Sequence, residues 1–378
     1  MQLKLSNIGQ IENAEIGFGD LTVFVGPQAT GKSIALQFLK LIVDAGHVQE
    51  ELARYGLDWS GKLPEFFDIY FGEGMRGLWR DDSSVHWRGK EVSISSIVGR
   101  KRRNKDESLF LIPAQRVLTL RDGWPRPFTD YSPGDPFAVR EFSEKLRTLV
   151  EKEFGANENL FPQERRLKRE YRDLLDQTMF GSFRLQVDKS RVQKRLVLGT
   201  SEQPLPYMVW SAGQREFVPL LLGLYWLMPS ASVSRRNKIE WVVLEELEMG
   251  LHPRAISVLL LLVLELISRG YRVCLSTHSP QVLEMVWAIK HLSELNAPPG
   301  ALLSVFGAPN TQPMQKLAES VAGKAMKVHY FAPTGVTRDI SDLDLDSEEM
   351  GDGYWGGLSE FSSRANTAVA RAVANGGR

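Results

Sequence analysis

Cysteine is almost missing from this chain: Cys274 stands alone among 378 residues. One thiol excludes an intrachain disulfide framework and a four-cysteine zinc site. Its place in the apolar run Tyr271-Arg272-Val273-Cys274-Leu275 predicts a buried core thiol. Net charge is missing too, with 46 basic residues against 46 acidic ones, so no global field selects a partner. Long apolar runs are absent. The longest, 217–228 and 256–264, fall short of the ~18 residues a membrane span requires. The first residues, Met1-Gln2-Leu3-Lys4-Leu5-Ser6, lack the apolar core of a signal peptide. These absences predict a soluble, cytoplasmic protein that makes no use of a membrane. No internal repeat, sustained heptad or low-complexity tract is present.

What is there starts at Gly26-Pro27-Gln28-Ala29-Thr30-Gly31-Lys32-Ser33. The apolar run Leu21-Thr22-Val23-Phe24-Val25 precedes it, and a helical pattern opening at Ile34 follows. Strand, glycine-bounded loop and helix are the setting that a G-x-x-x-x-G-K-S phosphate loop needs. Backbone N–H groups would close around phosphate oxygens, with the helix N-terminus beneath them. Lys32 would neutralise the β- and γ-phosphates of ATP, and the Ser33 hydroxyl would hold Mg²⁺.

Downstream, the apolar strand 239–244 delivers Glu245 and Glu246 at its C-terminal end. Glu245 suits Mg²⁺ coordination, and Glu246 suits orientation or deprotonation of an attacking water. A neighbouring strand ends at Ser276-Thr277-His278-Ser279-Pro280, which places His278 where it could contact the γ-phosphate. Trp210-Ser211-Ala212-Gly213-Gln214 opens a helix. Strands are expected at 3–5, 15–18 and 108–112, with a hairpin of 84–87 and 91–94 inside an otherwise polar, irregular stretch from 46 to 107. Two helices are expected between 137 and 179, split at 155–157, with Pro162 in the first turn of the second. Strands return over 183–210, and 240–310 alternates strand and helix, implying a parallel sheet. The end, from Ala374, reads as a frayed tail.

Taken together, these segments resemble the ABC-type ATPases: a Walker A loop at 26–33, an S-x-G-Q signature at 211–214, a Walker B strand at 242–246 and a His switch at His278. Gln115, in Ile112-Pro113-Ala114-Gln115-Arg116, is similar to the Q-loop glutamine. The opening Leu3-Lys4-Leu5-Ser6-Asn7-Ile8-Gly9-Gln10-Ile11, the Leu251-His252-Pro253 step and the Thr277-His278-Ser279-Pro280 turn resemble the OLD-like branch, more distantly SMC and RecF heads. The resemblance covers 1–45 and 205–290 well and 46–205 in outline. It implies an α/β fold: a P-loop ATPase core with a parallel sheet, an antiparallel β subdomain and a helical lobe. The single domain, 1–378, would be split in sequence. An N-terminal lobe (1–135) carries Walker A and the Q-loop, and 136–205 holds a helical insert with a β segment. Signature, Walker B and His switch lie in 206–310, followed by a C-terminal segment (311–378).

The resemblance further implies site residues. ATP would be bound by Gly26, Pro27, Gln28, Ala29, Thr30, Gly31, Lys32, Ser33 and Ile34. Mg²⁺ would be held by Ser33, Glu245 and Gln115, with Glu246 and His278 catalytic. Ser211, Gly213 and Gln214 would act in trans on a second copy, giving a homodimer or a higher oligomer. Two departures stand out: Glu245 replaces the usual Walker B aspartate, and no Toprim nuclease segment follows. The acidic run Asp342-Leu343-Asp344-Leu345-Asp346 reads as a solvated turn. The output would then belong to a separate effector protein, with the chain a sensor or regulator in bacterial antiviral defence or a toxin-type system. Two other readings stay open, a RecF-like DNA-repair ATPase and an ATP-gated scaffold with little turnover. Basic clusters at 100–105, 165–172 and 184–195 suit nucleic acid, or solvated faces and protein partners.

Overall fold

The computed structural model describes residues 1–100, 102, 104–154, 159–164, 166–189, 193–200, 202–229, 235, 236, 238–343, 355, 357, 358 and 360–376, with side chains as far as 373. Strands β1 (Gln2–Ile8) and β2 (Ile11–Gly17) pair antiparallel, Leu3 opposite Ile16 and Leu5 opposite Ala14. β3 (Leu21–Val25) is apolar but for Thr22 and buried at every position, as a strand covered on both faces must be. It feeds the loop 26–31 and α1 (Lys32–Val43).

The stretch 46–107 is more regular than its polar sequence suggests. It forms α2 (Ala45–Arg54), α3 (Leu63–Tyr70), β4 (Trp79–Trp87), β5 (Lys90–Glu91) and α4 (Ile94–Gly99). The expected hairpin exists with different bounds. Its second strand stops at Glu91 because Ser93 caps α4, accepting from the Ser96 N–H at 3.2 Å. Then come β6 (Leu109–Ile112), the small hairpin of β7 (Leu120–Arg121) and β8 (Trp124–Pro125), and α5 (Phe137–Thr148).

The expected helix break at 155–157 lies outside the described residues. Pro162 does not start the second helix: Phe161–Pro162 is a cis peptide leaving β9 (Asn159–Phe161), and α6 (Arg169–Leu175) begins later. β10 (Arg184–Asp188), β11 (Arg195–Gly199) and β12 (Pro204–Pro206) complete an antiparallel sheet with β9. The rest alternates: α7 (Ala212–Leu227), β13 (Trp241–Glu245), α8 (Pro253–Ser268), β14 (Arg272–Ser276), α9 (Pro280–Glu294), α10 (Pro299–Val305), α11 (Gln312–Ala322), β15 (Met326–Phe331), β16 (Thr337–Asp339) and α12 (Glu360–Gly376). The expected frayed tail is thus helical as far as Gly376. Of the acidic run 342–346, Asp342 pairs with Lys290 at 2.8 Å and Leu343 is buried; the remainder lies outside the described residues. No helix among the described residues is long and apolar enough to cross a membrane.

The centre is a six-stranded sheet of order β16-β15-β3-β14-β13-β6, parallel except for β16. Alternate residues of its strands feed two cores. Val23, Val242, Leu244, Val273 and Leu275 face the side of α5, α7, α8 and α9. Phe24, Trp241, Val243 and Cys274 face the side of α1 and the β1–β2–β4 sheet. Cys274 is fully buried, and burial pushes its thiol pKa up. The fold is α/β with an antiparallel β subdomain and a helical lobe, as the sequence predicts. Strands β3, β14, β13 and β6 run in one direction, so their C-terminal ends share one edge, where ligands of open α/β sheets bind.

Candidate functional site

The loop after β3 is built around two glycines. Gly26 has φ +137° and Gly31 φ +97°, and a Cβ on either would collide, at 2.3 Å from the Phe331 carbonyl oxygen and 2.5 Å from Ile11 Cγ1. Gly31 is also the N-cap of α1 and supplies no capping side chain. The first-turn N–H groups, which have no intrahelical acceptor, are therefore left for an anion. Lys32 is buried and folds back on its own loop, donating to the Gly26 carbonyl at 2.8 Å and the Pro27 carbonyl at 2.6 Å. Burial lowers its pKa, opposed by Glu246 and Glu248. Thr30 ties the loop by donating to the Pro27 carbonyl at 2.9 Å.

A cleft of about 170 Å³ opens over this loop, lined by residues 28–34 together with Gln10, Glu246 and His278. The sheet explains the convergence: Glu245 lies opposite Ser276, which lies opposite Phe24, so the three strand ends are level. Glu246 Oε1 and His278 Nε2 approach to 3.7 Å. His278 Nε2 is itself buried and has no hydrogen-bond partner among the described residues.

Glu245 is nearly fully buried beneath the cleft. Its Oε2 accepts from the Ala114 N–H at 3.3 Å, while Oε1 is buried without a well-formed hydrogen bond. Burial raises its pKa to about 7, against the pull of the Ser33 hydroxyl and the Ala114 N–H. A buried carboxylate with an orphaned oxygen beside a serine hydroxyl is an incomplete shell of oxygen donors. That donor set fits Mg²⁺, a hard cation that keeps several waters and takes one or two protein oxygens. Gln115 is exposed, while its neighbour Ala114 makes the contact with Glu245.

The residues of the S-x-G-Q segment do not line the cleft. Ser211 and Gln214 form a capping box at the start of α7, Ser211 N–H donating to Gln214 Oε1 at 2.9 Å and Gln214 N–H to Ser211 Oγ at 3.2 Å. Ser211 is exposed, next to the exposed apolar side chains of Met208 and Val209.

Two residues without a role in the sequence reading shape the site. Glu248 Oε1 accepts from Thr277 Oγ1 at 2.9 Å and from the His278 N–H, so it orients the histidine turn. Arg116, fully buried, donates to the Glu245 and Glu246 carbonyls. Gln10 also reaches the cleft, from the turn between β1 and β2. Among the described members of the basic clusters, Arg166 holds the Tyr225 carbonyl at 2.6 Å, Lys168 pairs with Glu265 at 2.7 Å and Arg195 with Asp188 at 3.1 Å. Lys101, Arg103, Arg165 and Arg191 lie outside the described residues.

Residues 132–284 match the family described as "AAA domain, putative AbiEii toxin, Type IV TA system". The match begins downstream of the phosphate loop and takes in Ser211, Glu245, Glu246 and His278. No curated protein matches the chain. Among solved structures it is similar to an SMC head bound to the C-winged helix domain of ScpA (11% identity, 89% of this chain and 95% of that one, TM-score 0.42). It is also similar to the SMC head domain from Thermotoga maritima (12%, 89% and 97%, TM-score 0.34). A third likeness is to a bacterial ABC transporter cassette solved as a dimer (10%, 89% and 97%, TM-score 0.36).

Proposed function

We propose that this chain binds ATP with Mg²⁺ and hydrolyses it as a dimeric, OLD-like ABC-type ATPase, serving as sensor or regulator for a separate effector in a defence or toxin-type system. The observation that carries the reading is the convergence of Lys32, Ser33, Glu246 and His278 on one cleft, with the buried Glu245 beside Ser33. Ser33 and Glu245 would hold Mg²⁺, which when bound neutralises phosphate charge. Backbone N–H groups of the loop and α1 would grip the phosphates, and Lys32 would turn from its carbonyls to the β,γ-bridge. Glu246 would accept a proton from water as the water oxygen forms its bond to the γ-phosphorus. The bond from that phosphorus to the β,γ-bridging oxygen breaks, and ADP leaves with that oxygen. His278 would contact the γ-phosphate.

The exposed placement of Ser211, away from its own cleft, supports action on a second copy. Two identical chains about a two-fold axis would then complete two sites. The family match over 132–284, with its toxin–antitoxin description, favours the toxin-type setting. Phosphate release by the wild type and Glu246→Gln tests the reading. Mg²⁺-dependent turnover is expected, reduced by ~10²-fold or more in the variant with ATP binding retained. A wild type that binds ATP without turnover would favour the scaffold reading. One that does not bind ATP would end both.

A further inference from the structure

We infer that Arg116 is a positioning residue for hydrolysis: its guanidinium holds the backbone at Glu245 and Glu246 and thereby aims the Glu246 carboxylate into the cleft. The inference rests on the ATPase reading above. Arg116 opens the short turn Arg116–Thr119 after β6 and is completely buried. Nη1 donates to the Glu245 carbonyl at 3.0 Å and Nη2 to the Glu246 carbonyl at 3.1 Å. Nε donates to the Glu216 carbonyl at 3.2 Å and faces the Glu216 carboxylate at 3.3 Å. A buried guanidinium could be balanced by Glu216 alone. Here two arms of the fork are spent on the main chain of the two residues that the mechanism uses.

Glu246 needs such a clamp. Its φ is +46°, left-handed, a conformation that an L side chain holds only where its surroundings impose it. The Glu246 N–H donates to the Ser276 carbonyl at 3.0 Å, and its carbonyl also accepts from the Met249 N–H at 3.2 Å. Arg116 is the side chain added to that pair of backbone bonds. Relaxation to negative φ would swing the carboxylate away from the cleft. A lysine ammonium is a point donor and cannot span these acceptors as a planar fork does.

The turn that carries Arg116 is itself fastened from two directions. Tyr207 Oη donates to the Val117 carbonyl at 3.3 Å, from the turn leading to Ser211. Ser143 Oγ on α5 donates to the Thr119 carbonyl at 3.0 Å. The position of Arg116 is therefore set by the helical lobe and the signature approach together, and the fork carries that position to Glu246.

Arg116→Lys and Arg116→Gln test this, each alone and in the Glu246→Gln background. Folded proteins are expected, with affinity for a fluorescent ATP analogue within ~3-fold of wild type and KM unchanged. Turnover should fall on the order of 10²-fold, the cost of a misplaced reacting group. In the Glu246→Gln background the further loss should be under ~3-fold, because no carboxylate remains to be aimed. A wild-type kcat in Arg116→Lys overturns the inference. So does an equal multiplicative loss in both backgrounds, and so does loss of fold in both variants, which would make Arg116 a core residue only. Failure of the ATPase reading would show separately, as an unsubstituted chain without ATP turnover.

Discussion

α1 carries a buried lysine near each end, and the two are used differently. Lys32, at the N-terminal end, donates to the Gly26 and Pro27 carbonyls, and burial lowers its pKa. Lys40, toward the C-terminal end, meets Asp44 at 2.9 Å, Glu107 at 3.2 Å, Glu141 at 3.4 Å and the Leu109 carbonyl at 2.6 Å. Burial alone would lower its pKa as well, but the three carboxylates raise it well above the usual lysine value. Residue type and burial are alike at the two ends; the partner set differs. A buried ammonium that donates only to neutral carbonyls can exchange them for an anion at little cost, whereas one enclosed by carboxylates is part of the frame. The carboxylates repeat the lesson. Glu107 and Glu141 would be raised by burial but are brought below the usual 4.5 by Lys145 and Lys40. Glu245, whose carboxylate makes no ion pair among the described residues, is raised to about 7 by burial.

Removing each lysine in turn separates the two roles. Lys40→Met takes from the buried Asp44 its cation and leaves Glu107 and Glu141 with Lys145, and should cost about 3–5 kcal/mol of stability, read by denaturant unfolding. ATP-analogue binding by the folded fraction should persist. If Lys40→Met unfolds at the wild-type midpoint, the frame reading is wrong.

pH separates the two carboxylate sets. Glu107 and Glu141 are depressed when folded, so their contribution is present above about 4.5 and lost as pH falls below it. Glu245 is raised, so its contribution is present below about 4.5 and lost as pH climbs through about 7, worth up to about 3 kcal/mol. Melting curves of nucleotide-free, metal-free protein from pH 5 to 8 should show this decline in the wild type and lack it in Glu245→Gln. Parallel curves would mean that the Glu245 pKa is not raised in the folded protein. Lys32→Ala comes next: affinity for an ATP analogue should fall on the order of 10²-fold, the loss of one charge-assisted contact. Its melting temperature should not drop. A Lys32→Ala protein that unfolds as Lys40→Met does would erase the distinction between the two ends.

The sequence exposes some of this and hides the rest for physical reasons. β3, the loop and α1 are legible because glycine geometry and a lysine–serine pair are local features. Glu245, Glu246 and His278 are legible because a parallel strand that is apolar throughout points its polar residues to its end. Arg116 is not, since its acceptors are carbonyls 129 and 130 residues away in the chain, which carry no side-chain signature. Glu248 escapes similarly, its partners being Thr277 and a backbone N–H. α3 has the helical spacing Leu63, Phe66, Phe67, Tyr70 but runs only 8 residues, too short for the period to stand out from the polar stretch. In the lobe, β9 ends at Phe161 and α6 starts only at Arg169, so Pro162 lies in the connection and not in a first helical turn.

On the proposed function, one chain's cleft is completed by Ser211 of a second. Mass measurement by light scattering on Glu246→Gln with ATP and Mg²⁺ tests it most directly. A dimer is expected with ATP and a monomer with ADP, because reopening depends on hydrolysis. Adding Ser211→Arg should leave a monomer that still binds ATP, since the bulky cation would occupy the contact with the partner's γ-phosphate. A monomer in Glu246→Gln at saturating ATP, together with a Ser211→Arg protein that hydrolyses at the wild-type rate, would show the site to be complete within a single chain.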